Sequence, residues 1–218
     1  MSGETRGRGR PRKTESTYAD TRDDLIRSGL ELLTLNGFLS TGVDAIVKNA
    51  NVPKGSFYYY FKSKEEYAQI VLDAYDSFFE HKLKKYLHMP SCAPMVRMDH
   101  FIHDACEGIK KYNFTRGCLV GNMMQESPGL PTSFIQQLQD ILENWQALVA
   151  ACLSEALSSG EITSGMNEKQ LAAIFWSGWE GAVMRAKLYC STQPVLDFWD
   201  YFKASVQYQP SQEAIAGR

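Results

Sequence analysis

Residues 42–61, Gly-Val-Asp-Ala-Ile-Val-Lys-Asn-Ala-Asn-Val-Pro-Lys-Gly-Ser-Phe-Tyr-Tyr-Tyr-Phe, constrain the fold more than any other stretch of the chain. Val43, Ile46, Val47 and Ala50 recur at helical spacing and give a short apolar face. Proline is tolerated at the start of a helix and not inside one, so Asn51-Val52-Pro53 predicts a tight turn between two short helices. Thr41 and Asp44 have the spacing of a capping box, which predicts that the Thr41 hydroxyl caps the first of them. On the second, Phe57 and Phe61 lie four residues apart and should face inward. Three successive tyrosines cannot share one face, so one of Tyr58, Tyr59 and Tyr60 should pack inward and leave the others at the surface.

The flanks read the same way. From Asp20 to Leu35, Leu25, Ile26, Leu30, Leu32 and Leu33 recur at helical spacing, and Asn36-Gly37 supplies a stop. Ser63 caps a long helix from Lys64 to about Leu87, with Tyr67, Val71, Tyr75, Phe78 and Phe79 inward. Beyond it the periodicity is only helical, broken at His88 to Pro90, Asn113 to Gly117, Ser127 to Pro131, Ser158 to Gly165 and Ser191 to Pro194. The fold class is all-α. The expected organisation is a basic arm over 1–18, a three-helix head over 19–79, a larger helical body over 80–210 and a tail over 211–218.

The net charge of −2 conceals an asymmetry. Through Lys64 eleven Lys/Arg stand against seven Asp/Glu, a net of +4, while the remainder carries twelve against eighteen, a net of −6. A basic front on an acidic remainder suits a nucleic-acid-binding head on a body that avoids DNA. The longest purely apolar run, Ala147 to Leu153, is too short to cross a membrane. Five cysteines with no C-x-x-C pair argue against a disulfide framework or zinc ribbon and predict a reducing, cytoplasmic setting. No nucleophile–base pair, phosphate loop or paired carboxylates stand out, so neither an enzyme nor a cofactor is expected. His100, His103 and Cys106 could be read as metal ligands, but positions i and i+6 lie about 600° apart around a helix, 240° net, and do not converge.

A helix-turn-helix presents the N-terminal residues of its second helix to the major groove of double-stranded DNA while flanking groups clamp phosphates. Gly55 permits close approach, and Lys54 and Lys64 can pair with phosphates, a salt-sensitive contribution. Arg6-Gly-Arg8-Gly-Arg10-Pro-Arg12 adds an extended basic arm whose Arg8 and Arg10 suit a narrow minor groove; a generic basic tail is the alternative.

Thr41-Gly-Val-Asp-Ala-Ile, the run Ala50 to Glu65, and the preceding Asn-Gly-Phe38 together resemble the TetR family of one-component transcriptional regulators. The resemblance implies a three-helix DNA head joined through a fourth helix to a ligand-binding and dimerisation domain, and a palindromic operator. By position it puts DNA contacts at Thr41, Lys54, Gly55, Ser56, Tyr58, Tyr59, Tyr60 and Lys64, with Tyr60 standing where the family often has histidine. It also implies a homodimer formed by the last two major helices, which would be 132–158 and 167–189. Phe134, Leu138, Ile141, Leu142, Trp145, Leu148 and Leu157 on the first, and the run Phe175 to Val183 on the second, are either that interface or an ordinary core. Gly178 and Gly181 inside a helix point to close packing of a neighbour.

Arg116-Gly117-Cys118 opens a helix, where the dipole and the arginine both favour a thiolate; a small buried hydrophobe is the alternative. Gly117-Cys118-Leu119 together with Phe175 to Leu188 is similar to a TetR subgroup that includes an acrylate-utilisation regulator and a repressor of N-ethylmaleimide reductase. The resemblance implies that Cys118 senses electrophiles and oxidants, and that Lys187 bonds to the oxidised sulfur. Trp176, Glu180 and Lys187 share a helix face, so they are expected in one pocket, with Arg116, Arg185 or Lys187 holding the charge of an acrylate-like inducer.

Overall fold

The computed structural model describes residues 15–208, and all regular structure among them is helical. The head comprises α1 (Glu15–Asn36), α2 (Val43–Asn49) and α3 (Lys54–Tyr60). The long α4 (Lys64–Leu87) runs from the head into the body, which is built from α5 (Pro94–Lys111), α6 (Leu119–Gln125), α7 (Thr132–Ser158), α8 (Glu168–Tyr189) and α9 (Gln193–Ser205). A short 3-10 turn, Ser127–Gly129, separates α6 from α7. Helix α1 begins at Glu15, inside the stretch expected as arm, and the paired arginines Arg8 and Arg10 lie outside the described residues.

Local chemistry sets most boundaries. Gly37 follows α1 at φ +83°, a left-handed conformation that closes a helix without the strain a Cβ would bring. Pro53 immediately precedes α3, and the Ser63 hydroxyl accepts the Glu66 N–H at 3.0 Å to open α4. The expected cap on α2 is absent. Gly42 occupies that position with no side-chain bond, while the Thr41 hydroxyl is buried and donates to the Gly37 carbonyl at 2.6 Å. Asp44 instead reaches across the turn to Lys54 at 2.8 Å, pinning α2 to α3.

The head closes over Leu25, Leu33, Ile46, Phe57, Phe61 and Tyr67, with the Tyr67 hydroxyl donating to the Leu25 carbonyl at 2.7 Å. In the body an aromatic cluster carries the packing: Phe79 lies 4.4 Å from Trp145, Trp145 lies 5.3 Å from Trp176, and Phe175 stacks near Trp179. The buried Trp145 Nε1–H is satisfied by Asp76 at 2.7 Å. Phe78 departs from expectation, since it is 65% exposed while its neighbour Phe79 fills the core.

Of the two readings of the α7 and α8 stripe, dimer face or ordinary core, the structure shows mostly intrachain core. Phe134, Leu138, Ile141, Trp145, Phe175, Trp176 and Trp179 are buried within the chain, and Leu142, Leu148 and Leu157 are half-buried against them. Gly178 is packed by a neighbour, but that neighbour is Phe198 of α9 in the same chain, whereas Gly181 faces open space. What α8 leaves exposed is a different stripe, Ile174, Ser177, Gly181, Met184 and Leu188, at alternating steps of three and four.

Candidate functional site

The outer face of α3 presents Lys54, Gly55, Tyr58 and Tyr59, the two tyrosines 56% and 70% exposed. A Cβ at Gly55 would meet nothing within 4 Å, so this spot is open to a close-approaching partner. Tyr60 is the tyrosine that turns inward, half-buried against Phe61, and Ser56 is also half-buried. Two expected contacts are drawn inward. Thr41 has its side chain in the core, and Lys64 is half-buried over the Phe38 ring at 4.2 Å. Burial pulls the Lys64 ammonium below its ordinary pKa, and the nearby Glu126 carboxylate opposes that drop.

A second site lies in the body, where Cys118 forms the N-cap of α6 and its sulfur accepts the Gly121 N–H at 3.4 Å. Cys118, Asn122, Gln125, Glu180 and Lys187 line a cavity of about 250 Å³. On its other side Cys118 also borders a wider groove of about 610 Å³ between α1, α4, α5 and α8, flanked by Tyr75, Phe78, Lys82, Tyr112 and Arg116. The thiol is thus a partition between two spaces.

The electrostatics around that thiol differ from the expectation of a thiolate. Burial pushes the Cys118 pKa well above its ordinary value, the Glu180 carboxyl pushes it further the same way, and the bond from Gly121 opposes them. Arg116 is not there to help, because its guanidinium pairs with Glu31 at 3.1 Å and stacks over Tyr112 at 4.2 Å. Glu180 is itself perturbed, its burial raising the carboxyl from 4.5 to about 7. Tyr75 is held neutral beside the pair by burial and by Cys118.

Lys187 and Glu180 reach the cavity as the helix spacing predicts. Trp176 shares their face but is absorbed into the core beside Trp145 and Phe79, and Arg185 turns outward over Tyr189 at 5.7 Å. His100 and His103 are exposed while Cys106 is buried, and no group able to hold a metal ion occurs among the described residues.

Sequence reasoning missed the contacts that tie this cavity to the head. Two carbonyls at the end of α1 are taken up by cavity residues: Asn122 Nδ2 donates to Thr34 at 2.7 Å, the Gly117 N–H also donates to Thr34 at 3.4 Å, and Lys187 Nζ donates to Leu35 at 3.1 Å. Past the end of α6, Glu126 accepts the Phe38 N–H at 2.8 Å and the Leu39 N–H at 3.2 Å. Partners some 88 residues apart leave no local signal in the sequence. Helix α6 therefore joins the thiol at one end to the loop that introduces α2 at the other.

Two family models match separate parts of the chain. The family model for bacterial regulatory proteins of the tetR family matches residues 25–68, and that for the tetracyclin repressor-like C-terminal domain matches residues 94–202. The transcriptional regulator AcuR of Cereibacter sphaeroides is 43% identical over 191 residues, covering 88% of this chain and 87% of that protein. The HTH-type transcriptional repressor NemR of Escherichia coli K12 is 27% identical over 183 residues, 82% of this chain and 90% of that one. Among solved structures, a regulatory protein TetR from Rhodobacter sphaeroides superposes with a TM-score of 0.83 at 42% identity, covering 85% of this chain and 98% of that chain. The reduced form of Escherichia coli NemR shares the fold, with a TM-score of 0.79 at 24% identity, over 88% of this chain and all of that one. The chain belongs to the TetR family of bacterial transcriptional regulators, with a helix-turn-helix head and a helical C-terminal body.

Proposed function

We propose that this protein is a homodimeric repressor, released from a palindromic operator by a small reactive molecule sensed at Cys118, of the acrylate or general electrophile and oxidant class. The observation that carries the reading is the shared occupancy of one small cavity by Cys118, Lys187, Asn122 and Glu180, two of which also hold the end of α1. A molecule entering the cavity competes with Thr34 and Leu35 for Asn122 and Lys187, and any shift of α6 is felt at Phe38 and Leu39 through Glu126. Such a ligand moves the heads only as far as its affinity for the two arrangements differs.

Lys54, Gly55, Tyr58 and Tyr59, with the arm arginines Arg8 and Arg10, would carry the DNA contacts. The exposed α8 stripe Ile174, Ser177, Gly181, Met184 and Leu188 would seat the partner copy, its glycine allowing close helix approach. The NemR relative is named a repressor, which supports repression here.

A second reading, a non-covalent inducer with Cys118 as structural packing, is favoured by the burial and protonation of the thiol. Titrating a fluorescent operator complex with acrylate, N-ethylmaleimide, hydrogen peroxide and saturated analogues separates the two. Release by the reactive compounds and not by propionate or N-ethylsuccinimide supports the first reading, and equal release by the saturated analogues supports the second.

A further inference from the structure

Glu180 is 8% exposed, and its carboxyl oxygens have no hydrogen-bond partner besides a weak contact with the Cys118 thiol. The other buried charges each have a bond: Arg97 donates to Glu155 and to the Leu87 and Cys92 carbonyls, and Glu161 accepts the Met95 N–H through one oxygen while its other oxygen is unpartnered. An acid buried with so little polar compensation is costly unless something else uses it. Glu180 lies so close to the Gly121 Cα that a methyl group there would collide with Oε2, and the Cys118 Cβ is 3.5 Å from the same point. Acid and thiol therefore flank one glycine and open into one cavity.

We propose that Glu180 is the general base for Cys118, taking the thiol proton as the sulfur attacks an α,β-unsaturated carbonyl compound. The inference rests on the sensor reading of Cys118. In the step, the S–H bond breaks and its proton passes to the Glu180 carboxylate while the sulfur electron pair forms a bond to the β-carbon. The displaced π electrons form an enolate, which takes a proton back from Glu180 at the α-carbon. The product is a thioether with Glu180 ionised as before, and no oxidant or further reactant is consumed.

The alternatives for activating this thiol are weak. Arg116 is committed to Glu31 and Tyr112, and the Lys187 ammonium donates to Leu35. A buried neutral thiol is a poor nucleophile, and a base matched to neutral pH removes that obstacle. The titratable groups facing Glu180 are Cys118 at the start of α6, Tyr75 from α4, and Lys187 two turns along α8. Tyr75 is held neutral by burial, so Cys118 is the proton source within reach.

The two possible roles of the carboxylate have opposite signs. As a mere negative neighbour it holds the thiol protonated, and Glu180→Gln then speeds alkylation. As a base it is needed, and Glu180→Gln slows it. The test is the rate of Cys118 adduct formation with N-ethylmaleimide, followed by peptide mass spectrometry on the full-length protein from pH 5.5 to 9. The wild-type rate should rise through about pH 7 and level off, and Glu180→Gln should be roughly 100-fold slower at pH 7 and keep rising to pH 9. A variant as fast as wild type, or faster, at pH 7 overturns the proposal. Should Glu180→Gln fail to fold, Glu180→Asp replaces it: a retained inflection supports the base, and a profile with none overturns it. Operator release read on the same samples keeps the two failures apart. Release without a Cys118 adduct sinks the sensor reading, whereas adduct rates indifferent to residue 180 sink only the base.

Discussion

Glu180→Gln should make stability less sensitive to pH. Burial raises the carboxyl from 4.5 to about 7, so the folded protein binds that proton more tightly than the unfolded chain does. For an acid raised in this way, stability is highest at low pH, falls as pH climbs from about 4.5 to about 7, and is flat above. At 1.36 kcal/mol per pH unit the penalty at pH 8 is about 3 kcal/mol, and at pH 5 it is below about 1 kcal/mol. Glutamine has nearly the same shape and no charge, but its amide brings N–H groups into the same unpartnered position, at a cost of about 1–3 kcal/mol. That amide cost is common to both pH values, so it cancels in the comparison. The gap in unfolding free energy between variant and wild type should therefore move by about 2–3 kcal/mol in favour of glutamine from pH 5 to pH 8. Urea unfolding followed by far-UV circular dichroism, at fixed protein concentration because a dimer shifts the midpoint, measures it. A gap that is the same at both pH values would show that Glu180 is solvated or paired and would refute the reasoning.

Glu126→Ala removes the acceptor of the Phe38 and Leu39 N–H groups, so hydrogen exchange at those two amides should accelerate by about 10- to 100-fold and operator affinity should fall; unchanged exchange would disconnect α6 from the head. Gly178→Ala drives a methyl into the Phe198 ring and should lower stability by about 1–3 kcal/mol in thermal unfolding, whereas Gly181→Leu leaves the intrachain core alone and should weaken dimerisation in analytical ultracentrifugation. Deleting residues 2–13 should weaken operator binding and flatten its salt dependence, measured by anisotropy between 50 and about 200 mM salt; an unchanged slope would remove Arg8 and Arg10 from the interface.

The helices were legible because their signals are local. Pro53, Ser63 and Gly37 mark boundaries through their own backbone and side-chain chemistry, and the α4 limits follow from Ser63 and from the break at His88. The capping box at Thr41 misled because a nearer acceptor, the Gly37 carbonyl, captured the hydroxyl. Periodicity marked the buried face of α7 and α8 but not its partner, so it left open whether those residues meet a second copy or the chain's own core, and the exposed Ile174 to Leu188 stripe went unread. At the candidate sensor, helix spacing put Glu180 and Lys187 on one face of α8, while Cys118 was singled out by its place at a helix start and by the resemblance. The state of the thiol did not, because burial outweighs a short helix dipole and Arg116 finds a better partner in Glu31. The bonds from Asn122, Lys187 and Glu126 to the head join residues far apart in sequence, and only the folded chain brings them together.

The most direct test of the sensor reading compares operator release by acrylate and by N-ethylmaleimide in wild type and Cys118→Ser, with both proteins first matched for operator affinity. The account predicts that wild type releases DNA as a Cys118 adduct accumulates and that Cys118→Ser stays bound at the same concentrations. Equal release by the two proteins would contradict it.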